Sequence, residues 1–161
     1  MGSGKSTVGR ALSDRLGRPF LDLDEMIVAE TGRTIPELFR EDGERAFRAA
    51  EAAALPRALA TAAIVALGGG TPLDDESWRL LKRDAITIWL DAPLAVLRSR
   101  LADDLHGDPA PRRPLLPGRS EQELERLYAA RAARYRECDV RIDASRPLEI
   151  VVEAALRACG G

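Results

Sequence analysis

The chain has 161 residues, 45% of them hydrophobic, enough for one compact domain with a real core and too few to argue for two. Its 24 Lys and Arg stand against 26 Asp and Glu, a formal charge of −2, so no general positive field recommends nucleic acid or an anionic membrane as a partner, and an aromatic content of 4% leaves few platforms for stacking bases. Two cysteines, Cys138 and Cys159, are too few for a disulfide framework; no apolar run approaches the roughly 18 residues of a membrane span and no signal peptide is legible, so the cytoplasm is the expected compartment.

The chain opens on Met1-Gly2-Ser3-Gly4-Lys5-Ser6-Thr7, the second half of the phosphate-binding pattern G-x-x-x-x-G-K-[ST]. In that pattern backbone N–H groups cradle phosphates, the lysine reaches the terminal ones and a hydroxyl ligates Mg²⁺. The first glycine would lie upstream of Met1, together with the buried strand that feeds the loop, and a truncated or wrongly assigned start is the expectation. Such a strand is normally paired on both sides, so a chain truly beginning at Met1 is expected to fold poorly. Met1-Gly2 with Ser6 also fits the myristoylation pattern, which the Lys5-Ser6-Thr7 run and the amphipathic helix after it outweigh.

Val8, Ala11, Leu12 and Leu16 share one helical face, with Gly17 as a stop. Pro19 to Leu23 reads as a strand carrying Asp22 and Asp24 at its end, with Glu25 to Glu30 helical and closed near Gly32. On an extended segment Asp22 and Asp24 would point to one side, although a strand end capping the next helix explains Asp-x-Asp equally well. Thr34-Ile35-Pro36-Glu37 is a capping box for a helix through Arg40, and after Asp42-Gly43 comes a long Ala-rich helix containing Phe47, Arg48 and Glu51, which Pro56 kinks or divides. Ala62 to Leu67, ending at Gly68-Gly69-Gly70, and Ala85 to Leu90 read as buried strands. Each precedes a helix, Asp74 to Lys82 and Pro93 to Ala102, and this alternation predicts a parallel α/β sheet.

Asp103 to Arg119 holds four prolines, Arg112, Arg113 and Arg119, and shows neither period, which predicts a lid or binding loop. Its one histidine, His106, has no metal or triad companions and reads as an exposed loop residue. Ser120 caps a helix to about Glu137; Val140 to Asp143 is the last strand and Leu148 to Ala158 the last helix.

In this order, Gly2 to Thr7, Leu21 to Asp24, Gly32 to Phe39, Gly43-Glu44 with Phe47-Arg48, Gly68 to Gly70, Arg113 to Leu116 and Arg131 to Arg136 make the chain resemble the shikimate kinases over nearly its whole length. The resemblance implies a three-layer P-loop kinase fold, a parallel sheet flanked by helices whose family has five strands, the first lying before Met1. It implies one domain over residues 1–161, with a shikimate-binding region near 24–52 and a lid near 103–119. It also implies transfer of a phosphoryl group from ATP to the 3-hydroxyl of shikimate, with Mg²⁺, in a monomer whose partner is that small molecule.

Phosphoryl transfer needs cations on the β and γ oxygens and an aligned hydroxyl, which Lys5 and Arg113 would supply on one side and Asp24 on the other. Gly2, Ser3, Gly4, Lys5, Ser6 and Thr7 would form the nucleotide loop, Ser6 with Asp22 would hold Mg²⁺, and Arg100 and Arg146 would lie near adenine. A carboxylate suits the paired donors of guanidinium groups, and the resemblance assigns Arg48 and Arg131 to it, with Glu51 one turn after Arg48 to fix its direction. Gly68, Gly69 and Gly70 would let backbone approach the ring. The nearest rivals are another small-metabolite kinase, such as gluconate kinase, and a non-catalytic nucleotide- or shikimate-binding module.

Overall fold

The computed structural model describes residues 2–107 and 121–160. In chain order they form α1 (Lys5–Leu16), β1 (Phe20–Asp22), α2 (Leu23–Thr31), α3 (Ile35–Glu41), α4 (Gly43–Leu59), β2 (Ile64–Ala66), a 3₁₀ turn (Thr71–Leu73), α5 (Asp75–Asp84), β3 (Ile88–Asp91), α6 (Leu94–Gly107), α7 (Glu121–Tyr135), β4 (Val140–Asp143) and α8 (Leu148–Ala158).

Local chemistry accounts for most boundaries. Thr34 and Glu37 form the reciprocal capping box of α3: the Thr34 N–H donates to Glu37 Oε2 at 2.7 Å and the Glu37 N–H to Thr34 Oγ1 at 3.4 Å. Asp74 caps α5 by accepting from the Ser77 N–H at 2.8 Å. The chain enters α4 through Gly43 at φ 81°, a left-handed turn that lets α3 and α4 pack side by side. Pro56 does not divide α4, which runs unbroken to Leu59; it lies in the last turn, where little helix remains to disturb.

All strand pairing is parallel: Phe20, Leu21 and Asp22 stand against Ile64, Val65 and Ala66, and Ile88 to Asp91 against Val140 to Asp143. The expected class is present, but among the described residues the strands form two separate pairs rather than one continuous sheet. Both β2 and β3 line an apolar cavity of about 500 Å³, with Ile64, Val65 and Ala66 contributed by one and Ile88, Trp89 and Leu90 by the other. Helices α1 and α8 close one side of the second pair through Val8, Leu12, Ile142, Val151, Val152 and Ala155. A second core, with Leu23, Ile27, Leu38, Phe47, Ala54 and Ala58, locks α2, α3 and α4 together and makes a firm base for the residues they carry.

Two expectations need correction. β1 ends at Asp22, so Asp24 belongs to the first turn of α2 and not to an extended segment. The Asp22 carboxylate, accepting from the Asp24 N–H at 3.1 Å, turns the chain into the helix at that point. Residues Asp103 to Gly107, read as the start of the lid, continue α6, whose Leu97, Leu101 and Leu105 keep a four-residue spacing. The rest of the expected lid, with Arg112, Arg113 and Arg119, lies outside the described residues, as does the Ser120 cap.

Candidate active site

The phosphate end is built by α1. Gly4 adopts φ 82°, a conformation that glycine reaches without strain, and turns the chain directly into a helix starting at Lys5. The first-turn N–H groups and the positive end of the helix dipole create a place for phosphate oxygens. Gly2, at φ 67°, and the buried Ser3 precede this turn. Ser6 Oγ donates to Asp22 Oδ2 at 3.1 Å, so the first turn of α1 meets the end of β1 through two hard oxygens. Two oxygens from the protein, with room for water and phosphate around them, are the donor set that Mg²⁺ takes.

The other end is more enclosed. Asp24 Oδ1 is buried and has no hydrogen-bond partner among the described residues. Burial, with the negative Asp22 and Glu51 close by, pushes this carboxyl up from its ordinary 3.8 to about 6, while Lys5 and Arg48 pull in the other direction. A carboxylate held away from water and lacking a donor is poised to receive one from a ligand hydroxyl.

Two guanidinium groups face the glycine turn after β2. Arg48, from α4, is hydrogen-bonded to Glu51 and, at 3.0 Å, to Glu44. Glu51 is only 2% exposed, and its other oxygen accepts from Thr71 Oγ1 at 2.7 Å. Arg131, from α7, is 7% exposed. Tyr135, one turn later on α7, donates to the Gly69 carbonyl at 2.6 Å. A Cβ on Gly68 would lie 2.6 Å from Glu51 Oε1; one on Gly69 would lie 2.7 Å from Arg131 Nη1; one on Gly70 would run into the Arg48 guanidinium. Three consecutive glycines are therefore what allows two cations and a buried carboxylate to close on one turn.

These contacts bring together Asp24, Arg48, Glu51, Arg131 and Gly68 to Gly70, as read from the sequence, while Lys5 acts on the Asp24 carboxyl and Ser6 meets Asp22. Thr71 and Tyr135 were not singled out, although each had a signal: Thr71 follows the three glycines directly, and Tyr135 stands four residues after Arg131 on one helix. Arg100 is half-buried on α6, and Arg146 is exposed in the turn between β4 and α8. Arg113, expected to act on the transferring phosphate, falls outside the described residues.

The family model described as shikimate kinase matches residues 1–159. The chain belongs to the shikimate kinase family. A shikimate kinase of Salinibacter ruber is 42% identical over 162 residues, covering 94% of this chain and 77% of that protein. One from Symbiobacterium thermophilum is 44% identical over 135 residues, covering 83% of this chain and 74% of its own length. Among solved structures, a shikimate kinase from Acinetobacter baumannii in complex with shikimate superposes with a TM-score of 0.88 at 33% identity, covering 99% of this chain and 88% of that one. The shikimate kinase expectation for the fold thus holds, with helices on a parallel α/β core. No helix among the described residues is long and apolar enough to cross a membrane.

Proposed function

We propose that this chain transfers the γ-phosphoryl group of ATP to the 3-hydroxyl of shikimate, giving shikimate 3-phosphate for aromatic amino acid biosynthesis. The observation that carries the reading is the turn at Gly68 to Gly70, where a buried Asp24 oxygen with no hydrogen-bond partner among the described residues and the Arg48 and Arg131 guanidinium groups converge beside a helix that starts at Lys5. A hydroxylated carboxylate matches that set: its carboxylate takes the guanidinium donors and its hydroxyl donates to Asp24.

In the reaction the α1 N-terminus and Lys5 bind the phosphates and spread their charge. Asp24 accepts a hydrogen bond from the 3-hydroxyl, aligns it for in-line attack and is placed to take its proton as the new O–P bond forms. Its raised pKa suits that exchange near neutral pH. Ser6 and Asp22 would hold Mg²⁺, which when bound neutralises the β and γ oxygens. Arg113 is proposed as the second cation on the transferring group, within a lid over about 108–119 that excludes water, and Arg100 and Arg146 as neighbours of adenine.

The reading includes a single domain over 1–161 and a monomer. It also includes a cytoplasmic setting, which suits two free cysteines.

The test is ADP formation from Mg·ATP with shikimate, without it, and with gluconate in its place. Shikimate-dependent release supports the assignment. Release with gluconate instead points to another metabolite kinase, and tight binding of both ligands by folded protein without turnover points to a binding module.

A further inference from the structure

We infer that Tyr135 is a positioning residue for recognition of the substrate carboxylate, acting through the glycine turn and Arg131. The inference rests on the reading that places that carboxylate at Arg48 and Arg131.

Tyr135 is the last residue of α7, and Arg131 lies one turn before it on the same face. Both side chains reach Gly69: a Cβ there would lie 2.7 Å from Arg131 Nη1 and 3.3 Å from Tyr135 Oη. The Tyr135 hydroxyl donates to the Gly69 carbonyl at 2.6 Å, a hydrogen bond from the end of α7 to this turn. Fixing that C=O fixes the whole planar peptide unit shared with Gly70, the residue against which Arg48 packs. One hydroxyl thus sets the backbone that both guanidinium groups lean on.

The phenol is itself held. Its ring packs against Trp89 of β3 at 5.9 Å between centroids, tilted by 55°, so α7 is tied to strand and turn by one side chain. Burial raises the Tyr135 pKa, keeping the hydroxyl a donor throughout the working pH range. Without it, the Gly69 carbonyl would lose its donor and the end of α7 would be free to drift, carrying Arg131 out of register with Arg48.

The experiment compares wild type, Tyr135→Phe, Arg131→Met and the double variant, measuring shikimate and ADP affinities by titration calorimetry alongside melting temperature. Phe keeps the ring and its Trp89 contact, and removes only the donor. Tyr135→Phe is expected to weaken shikimate by about tenfold, the loss typical of one hydrogen bond supporting a charged contact, with ADP affinity unchanged. In the Arg131→Met background the same substitution is expected to change shikimate affinity less than about twofold, because the group it positions is gone. Replacing Tyr135 by 3-fluorotyrosine, which retains the donor, is expected to bind shikimate as wild type does and supplies a second test should the Phe variant be unstable. Unchanged shikimate affinity in Tyr135→Phe, or an equal loss in both backgrounds, overturns the positioning role. A wild-type chain that binds ADP but not shikimate overturns the functional reading instead, and the inference with it.

Discussion

Glu51 and Thr71 stand twenty residues apart in the chain and meet through a buried 2.7 Å hydrogen bond. The other oxygen of Glu51 holds Arg48, so one carboxylate orients a guanidinium and anchors the residue after the glycines. Glu51→Ala would strand a partly buried cation and a buried hydroxyl. Because Arg48 remains 29% exposed, the expected loss is near the lower end of the range for breaking a buried pair, about 3 kcal/mol. Glu51→Gln keeps an acceptor for Thr71 and should lose less. Urea unfolding of wild type and both variants gives the comparison; a Glu51→Gln variant as stable as wild type would mean that the charge on Glu51 is immaterial, and equal losses in the two variants that the acceptor for Thr71 is.

Gly69→Ala places a methyl group 2.7 Å from Arg131 Nη1, inside the tolerated contact distance, so either the turn or the guanidinium must shift. The expected outcome is at least about a tenfold rise in KM for shikimate, the scale of a lost charge-assisted hydrogen bond, with KM for ATP little altered because α1 is untouched. Gly17→Ala, with open space around its Cβ but a left-handed φ of 62°, should instead lower stability and leave both KM values alone.

Much of this site was legible because its parts are local. Gly4-Lys5-Ser6 and the three glycines each carry their geometry within a few residues. The last helix, expected over Leu148 to Ala158, has those bounds. What escaped were relations made across the fold: the Tyr135 hydroxyl on a carbonyl 66 residues earlier, and Thr71 completing Glu51. The misplacement of Asp24 on an extended segment has a physical origin too. A short strand running directly into a helix leaves no turn residue to mark the change, and the side chain that makes the cap is the same one that meets Ser6.

The Asp24 carboxyl titrates near 6 in the folded protein and near 3.8 when unfolded, so its protonated form stabilises the fold. That contribution is fully present below about pH 3.8 and is lost as pH rises through 6. Asp24→Asn, neutral at every pH, escapes the loss. In metal-free buffer the melting temperature of Asp24→Asn relative to wild type should therefore climb between pH 4 and pH 7 and level off above. The same variant should abolish phosphorylation of shikimate while retaining ADP binding. A stability difference that does not vary with pH would show that the carboxyl is not held in its uncharged form by burial.

Asp22 does two jobs with its two oxygens: Oδ1 caps α2 at the Asp24 N–H and Oδ2 accepts from Ser6. The jobs separate by substitution. Asn caps a helix about as well as Asp, so Asp22→Asn should fold with nearly the stability of wild type, whereas Asp22→Ala should lose about 1 kcal/mol with the cap. As a metal ligand Asn lacks the negative charge that favours Mg²⁺, so both variants should need at least about tenfold more Mg²⁺ for half-maximal ADP release. Titrating Mg²⁺ at fixed ATP and shikimate, with unfolding measured in parallel, tests the two jobs independently. If Asp22→Asn kept the wild-type Mg²⁺ requirement, the carboxylate would be acting on α2 alone and the metal would have to be held by Ser6 and the phosphates.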